Sequence, residues 1–259
     1  MSRDRPDRTA HYAARVVEHR HSTLRTVVVW DALQAELGEL GGPGRVVDLG
    51  GGTGGFAVRV AELGHHVTVV DPSPDALAAL DRRASEAGVA HRVRAVQGDA
   101  TELAALVGDH PVDLVLCHSV LEVVDDPGDA LDQIGSILAP HGCLSVLVAN
   151  RFAAVVARAV AGQLEAARDL LVDPSSGSGS VGGGGRRYAR DEVVALLRSH
   201  GFAAHAVLAV RVFTDLVPSV VVDSEPDALD ALLDLERSAA GRPEAVALAA
   251  QLHLLARPA

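Results

Sequence analysis

The densest chemical signal in the chain is the turn Val46-Val47-Asp48-Leu49-Gly50-Gly51-Gly52-Thr53-Gly54-Gly55, which leads from an apolar run into a helical pattern. Glycine is needed where a backbone turns tightly and where a ligand must approach with no Cβ in the way. Asp48, Gly50, Gly52 and Gly54 fit D-x-G-x-G-x-G, whereas Gly50, Gly52 and Gly55 fit the dinucleotide fingerprint G-x-G-x-x-G. The turn therefore predicts a nucleoside-bearing cofactor and leaves open whether its reactive half is a methyl donor or a nicotinamide. Asp71 ends the next apolar run, about 20 residues on, where a carboxylate can accept from both ribose hydroxyls. It also opens Asp-Pro-Ser-Pro, a helix start in its own right. Asp99 ends a third run, where an acid either accepts from an adenine amino group or caps the helix opening at Thr101-Glu102.

The elements that must position these groups follow from periodicity. Short Val/Leu runs at Arg45–Gly50, His66–Asp71, Val93–Asp99, Val112–Cys117 and Cys143–Asn150 read as strands buried on both faces. Helical patterns near 54–64, 74–88, 101–107 and 127–139 separate them. That alternation predicts an α/β fold, a doubly wound, mostly parallel, seven-stranded sheet. Before it, residues 1–44 form an N-terminal helical segment, with Val16, Leu24, Val27, Val28, Leu33 and Leu37 at helical spacing. The remaining 45–259 read as one domain. Within it we expect a helix over 152–172, a mobile Gly-rich loop over 175–185, and a helix at Arg190–His200. A long strand over Ala204–Val217, a helical cap insertion at 225–250 and a last strand at Gln251–Arg257 complete the reading.

Two later segments separate the cofactors. His118-Ser119-Val120-Leu121-Glu122 follows the fourth strand, and Leu138-Ala139-Pro140-His141-Gly142-Cys143-Leu144 turns into the fifth. They resemble the H-x-L-E and L-x-P-G-G-x-L signatures of class I methyltransferases, which dehydrogenases do not require. The likeness extends to Leu24-Arg25 through Trp30-Asp31, Asp126-Pro127, Leu144-Ser145 with Asn150, Val210-Arg211-Val212-Phe213 with Asp215, and Leu235-Glu236-Arg237. In these the chain is similar to the bacterial tRNA carboxymethoxyuridine methyltransferases, from about residue 3 to 258.

That resemblance implies S-adenosylmethionine as methyl donor, S-adenosylhomocysteine as product, and the carboxylate of a modified wobble uridine as acceptor. It places Arg25 on the methionine carboxylate, Gly50 and Gly51 along the methionine, Asp71 on the ribose, Ala100 against the adenine and His118 beside the donor. An arginine at position 25 suits a bidentate carboxylate contact. A sulfonium methyl is already activated and a carboxylate is ionised at neutral pH, so transfer needs alignment and a cation for the acceptor rather than a general base. Arg211 and Arg151 are the candidates for that cation. The family carries a lysine-rich segment where this chain reads SSGSGSVGGGGRRYARDE, with only Arg186, Arg187 and Arg190 as positive charges. A small-molecule acceptor, a metabolite carboxylate or hydroxyl, is therefore the alternative to tRNA. A non-catalytic regulator that binds the cofactor and an NAD-linked oxidoreductase stand further off.

Composition sets the outer limits. A formal charge of −11 opposes broad nucleic-acid binding, which needs a dense positive surface. The start MSRDRPDRT has no apolar stretch behind its charges, no run reaches the ~20 residues of a membrane span, and Cys117 and Cys143 read as reduced core residues. Together these predict a cytoplasmic location. No H-x-x-E-H or C-x-x-C spacing occurs, so no metal is expected. His65-His66 reads as a helix-to-strand turn, and Trp30 as the residue that packs the N-terminal helix onto the domain.

Overall fold

The computed structural model describes residues 26–173, 185–224 and 227–259. Seven strands form one sheet in the order β3-β2-β1-β4-β5-β7-β6. They are β1 Arg45–Leu49, β2 His66–Asp71, β3 Val93–Gln97, β4 Val112–His118, β5 Leu138–Ala149, β6 Phe202–Val210 and β7 Gln251–Pro258. Pairings from β3 through β5 are parallel, and β7 runs antiparallel to both β5 and β6. Chain order reverses between β1 and β4, which leaves a crevice at the carboxyl ends of these strands, the usual ligand site of an open α/β sheet.

Continuous apolar runs form this sheet because both its faces are covered. Val46 packs into one buried cluster and its neighbour Val47 into the other. The first face is covered by α1 (described over 26–39), α2 (Gly55–Glu62) and α3 (Pro74–Glu86). The opposite face is covered by α4 (Leu103–Val107), α5 (Pro127–Ile137) and α8 (Arg190–Ser199). Trp30 fixes α1 against α2, its ring lying 3.8 Å under the Arg59 guanidinium and 6.4 Å from Phe56. His65 holds the turn into β2, accepting from the Gly44 N–H at 3.0 Å.

The C-terminal half departs from the periodicity in three places. The helical pattern over 152–172 is two helices, α6 (Arg151–Val160) and α7 (Leu164–Val172), because Gly162 takes φ +76° between them. The strand expected to reach Val217 stops at Val210. Arg211 enters the left-handed region at φ 59°, and the backbone N–H groups of Val212, Phe213 and Thr214 turn onto the buried carboxylate of Glu236. The cap expected at 225–250 begins earlier: among the described residues three helices lie between β6 and β7, α9 (Ser219–Ser224), α10 (Ala228–Ala239) and α11 (Pro243–Leu248). Residues 175–184 of the Gly-rich loop and residues 1–25 lie outside the described residues. No described helix is long and apolar enough to cross a membrane.

Candidate functional site

The glycine turn is built by its backbone. Gly50, Gly52 and Gly54 all carry positive φ, and Gly50 N–H donates to the Val70 carbonyl at 2.7 Å. Gly54 and Gly52 are glycine for different reasons. A Cβ on Gly54 would stand 2.1 Å from Leu80 Cδ1, so this residue permits the close packing of α2 on α3. A Cβ on Gly52 would meet nothing nearer than Asp71 Oδ2 at 3.7 Å, which leaves that stretch of backbone open to a ligand. Asp48 lies buried beneath the turn. Burial, and secondarily the charge of Asp71, push its carboxyl up to about 7.

Asp71 closes the turn from the end of β2. Its Oδ2 accepts from the Gly52 N–H at 2.8 Å and its Oδ1 from the Ser73 N–H at 2.9 Å. Ser73, not Asp71, is the N-cap of α3. Asp99 does cap the 3-10 turn Ala100–Glu102, accepting from both the N–H and the hydroxyl of Thr101. Gly50, Val70, Asp99, Ala100, Val120 and Val124 are among the walls of a cavity of about 340 Å³ at the carboxyl ends of β1, β2 and β3. Its apolar walls, with Asp99, Asp125, Asp126 and Asp129 among its lining, suit a flat heterocycle bearing an amino group that a carboxylate can accept from.

His118 sits one strand away, at the end of β4. Its Nε2 lies 2.8 Å from Ser145 Oγ, which lies 2.8 Å from Nε2 of the buried His253. Since a hydroxyl has one proton, one imidazole donates to Ser145 and the other accepts from it. Desolvation lowers both imidazoles, His118 to about 4 and His253 to about 3, so both are neutral near pH 7. Phe56 stacks edge-on against His118 with centroids 5.1 Å apart. Glu122, at the end of the same motif, accepts from the Ala149 N–H at the end of β5, and Tyr188 donates to the Leu121 carbonyl at 2.7 Å. His253 and Tyr188 carried no local signal of a role beyond their place in a strand or loop, and Ser145 entered only through the family resemblance.

The candidate cations are placed unevenly. Arg25 lies outside the described residues. Arg151 opens α6, but its guanidinium forms a two-pronged pair with Glu192 and also donates to the Arg187 carbonyl. Arg211 pairs with Asp215 and lines a second cavity, of about 690 Å³, at the carboxyl ends of β5 and β6. Arg158 and Arg187, which periodicity did not single out for this purpose, line the same cavity. Among the described residues, one group of ligand-type side chains comes together, Glu36, Cys143 and His205. It sits around Cys143 in β5, away from these cavities, and Arg257 already pairs with the Glu36 carboxylate at 2.8 Å.

The comparisons with known proteins bear on family and fold. The methyltransferase domain family matches residues 46–142. Over 237 residues the chain is 30% identical to the tRNA 5-carboxymethoxyuridine methyltransferase of Escherichia coli (strain K12), covering 90% of this chain and 88% of that protein. The ubiquinone biosynthesis O-methyltransferase of Xylella fastidiosa (strain 9a5c) is 32% identical over 120 residues, 46% of this chain and 47% of that one. Among solved structures, magnesium protoporphyrin IX methyltransferase from Synechocystis PCC 6803 with bound S-adenosylhomocysteine shares the fold. Its TM-score is 0.58 at 14% identity, over 99% of this chain and 90% of that one. With a turn, an acid and a crevice in the order such a donor requires, and a relative matched along nearly its whole length, the chain is an S-adenosylmethionine-dependent class I methyltransferase and belongs to the family of tRNA 5-carboxymethoxyuridine methyltransferase.

Proposed function

We propose that the chain methylates the carboxylate of a 5-carboxymethoxyuridine at the wobble position of tRNA. The observation that carries this reading is the extent of the identity. The match to the tRNA enzyme spans 237 residues, whereas the match to the ubiquinone enzyme stops at 120, near the size of the shared donor domain. The segments that would meet an acceptor are therefore shared with the tRNA enzyme over a far greater length.

In this reading Gly50 and Gly51 line the methionine part of the donor, with Gly52 and Gly54 shaping the turn. Asp71 holds the ribose, Asp99 and Ala100 meet the adenine, His118 lies beside the donor, and Arg25 grips the methionine carboxylate. Asp48 supports the turn from below. The open backbone at Gly52 and the cavity with apolar walls and Asp99 among its acids fit such a nucleoside. When bound, the donor supplies a methyl group already activated by its sulfonium. The protein must then align an ionised carboxylate and exclude water, and a neutral His118 has no proton to remove from it.

Incubation of the purified protein with labelled donor and tRNA from cells lacking the activity tests the proposal. A base-labile methyl ester on 5-carboxymethoxyuridine, seen by nucleoside mass spectrometry, is expected. Unlabelled tRNA beside a labelled small-molecule fraction would replace it with the second reading, a metabolite carboxylate or hydroxyl methyltransferase. The acidic charge of −11 favours that second reading.

A further inference from the structure

We infer that the larger cavity, at the carboxyl ends of β5 and β6, is the acceptor subsite, and that Arg158 and Arg187 are the cations that receive the acceptor's anionic groups. The inference rests on the methyl-transfer reading and specifies where the acceptor binds. Place comes first. The cavity opens beside Ala149 and Asn150, which follow β5, and beside Arg211 and Val212, which follow β6. Strands β1, β4 and β5 are neighbours, so the end of β5 lies about 10 Å from the glycine turn at ordinary strand spacing. A donor held by Gly50 and Gly51 and passing His118 would direct its methionine end toward that edge. A volume of about 690 Å³ lies within the range of sites that enclose a nucleotide-sized ligand.

Charge selects which arginines remain available. Arg211 is neutralised by Asp215, whose two oxygens lie 2.7 and 2.6 Å from its Nη2. Arg151 is neutralised by Glu192. Arg158 and Arg187 line the cavity half-buried, and neither forms an ion pair among the described residues. Arg187 is also fixed in place. Its carbonyl accepts from Arg151 at 3.1 Å, and the next N–H, of Tyr188, donates to the Ala149 carbonyl at 2.9 Å. Among the described residues Arg158 has no ion-pair partner, and Arg187 feels the charge of Glu122 without forming an ion pair with it, so both can receive an anion in the working state. Ala153, Ala154 and Ala157 of α6 present small side chains to the cavity, beside Val156 and Val160 of the same helix. The class of ligand that fits is a planar heterocycle carrying a carboxylate and a phosphate.

Calorimetric titration of the protein, saturated with S-adenosylhomocysteine, with 5-carboxymethoxyuridine 5′-monophosphate tests this, with uridine 5′-monophosphate as control. The carboxylated nucleotide should bind more tightly than the control. Arg187→Ala and Arg158→Ala should each weaken it roughly 10- to 100-fold, with Arg187→Lys recovering part of the loss. Affinity for S-adenosylhomocysteine should stay unchanged in all three, which separates a lost contact from a lost fold. Wild-type affinity in the double alanine variant, or no binding of the carboxylated nucleotide at about 5 mM, overturns the subsite. The tRNA methylation assay is read separately. Transfer that persists unchanged in the double variant removes the subsite and keeps the tRNA reading. Binding without any transfer to tRNA removes the tRNA reading and keeps the subsite.

Discussion

Asp71 and Gly52, on different elements, are joined by a 2.8 Å hydrogen bond from the Gly52 N–H to Asp71 Oδ2. One carboxylate thus holds the shape of the glycine turn and, through its remaining lone pairs, faces the position proposed for the ribose. Both duties fail together when it is removed. Asp71→Ala should raise the dissociation constant for S-adenosylmethionine roughly 10- to 100-fold by calorimetry, since charge-assisted hydrogen bonds are the stronger kind. Unchanged affinity would remove Asp71 from the donor site.

The turn also separates two glycines that share a backbone conformation. Gly54 at φ +76° would place a Cβ 2.1 Å from Leu80 Cδ1, whereas Gly88 at φ +73° would place one in open space. Gly88→Ala should cost only the left-handed backbone penalty, about 1 kcal/mol. Gly54→Ala should cost a further 1–3 kcal/mol, roughly, for overpacking α2 against α3. Urea denaturation of the two variants gives the difference directly, and equal midpoints would contradict the packing role.

Glu236 governs the loop that carries Arg211. Fully buried, it accepts from the N–H groups of Val212, Phe213 and Thr214 and from the Thr214 hydroxyl. Glu236→Ala should destabilise the fold by on the order of 3 kcal/mol, because several buried donors lose their acceptor at once. Glu236→Gln should cost less, since one oxygen can still serve Phe213 and Thr214 while the amide faces the Val212 N–H. Equal stability of all three proteins would show that the loop turns without it.

Acid–base behaviour should carry a sign set by Asp48. Its carboxyl is raised from 3.8 to about 7, chiefly by desolvation. The folded state therefore holds a proton that the unfolded state releases. This contribution is fully present below pH 3.8 and is lost as pH rises toward 7. His118 and His253, lowered to about 4 and 3, act in the opposite direction: their contribution is present above 6.5 and is lost as pH falls. Subtracting the stability profile of Asp48→Asn from that of the parent isolates the first effect. The difference should fall steadily between pH 4 and 7, and a flat difference would mean that Asp48 is ionised in the fold throughout.

Much of the candidate donor site was legible in the sequence because local patterns encode it. Val-Val-Asp-Leu-Gly states a buried strand and its turn within a few residues, and Asp71 stands where the next parallel strand must end. Arg211 was misplaced for a related reason. Its run Val210-Arg211-Val212-Phe213 reads as a continuing strand, and the carboxylate that bends it comes from Glu236, 25 residues away in the chain. The proposed acceptor half was less visible, since its candidate cations are picked out by which arginines form no ion pair among the described residues, and pairing is a property of space.

Fold class, family and the order of the candidate donor-site residues are all readable along the chain, because alternation, turn chemistry and motif spacing are local. The tertiary structure decided that Ser145 joins His118 to His253 across 27 and 108 residues of separation, where β4, β5 and β7 lie side by side. It also decided that Glu192 and Asp215 neutralise Arg151 and Arg211 while Arg158 and Arg187 line the larger cavity. Hydrogen bonds and ion pairs depend on distances of a few ångströms, and only the register of the sheet and the helices packed on it fix those.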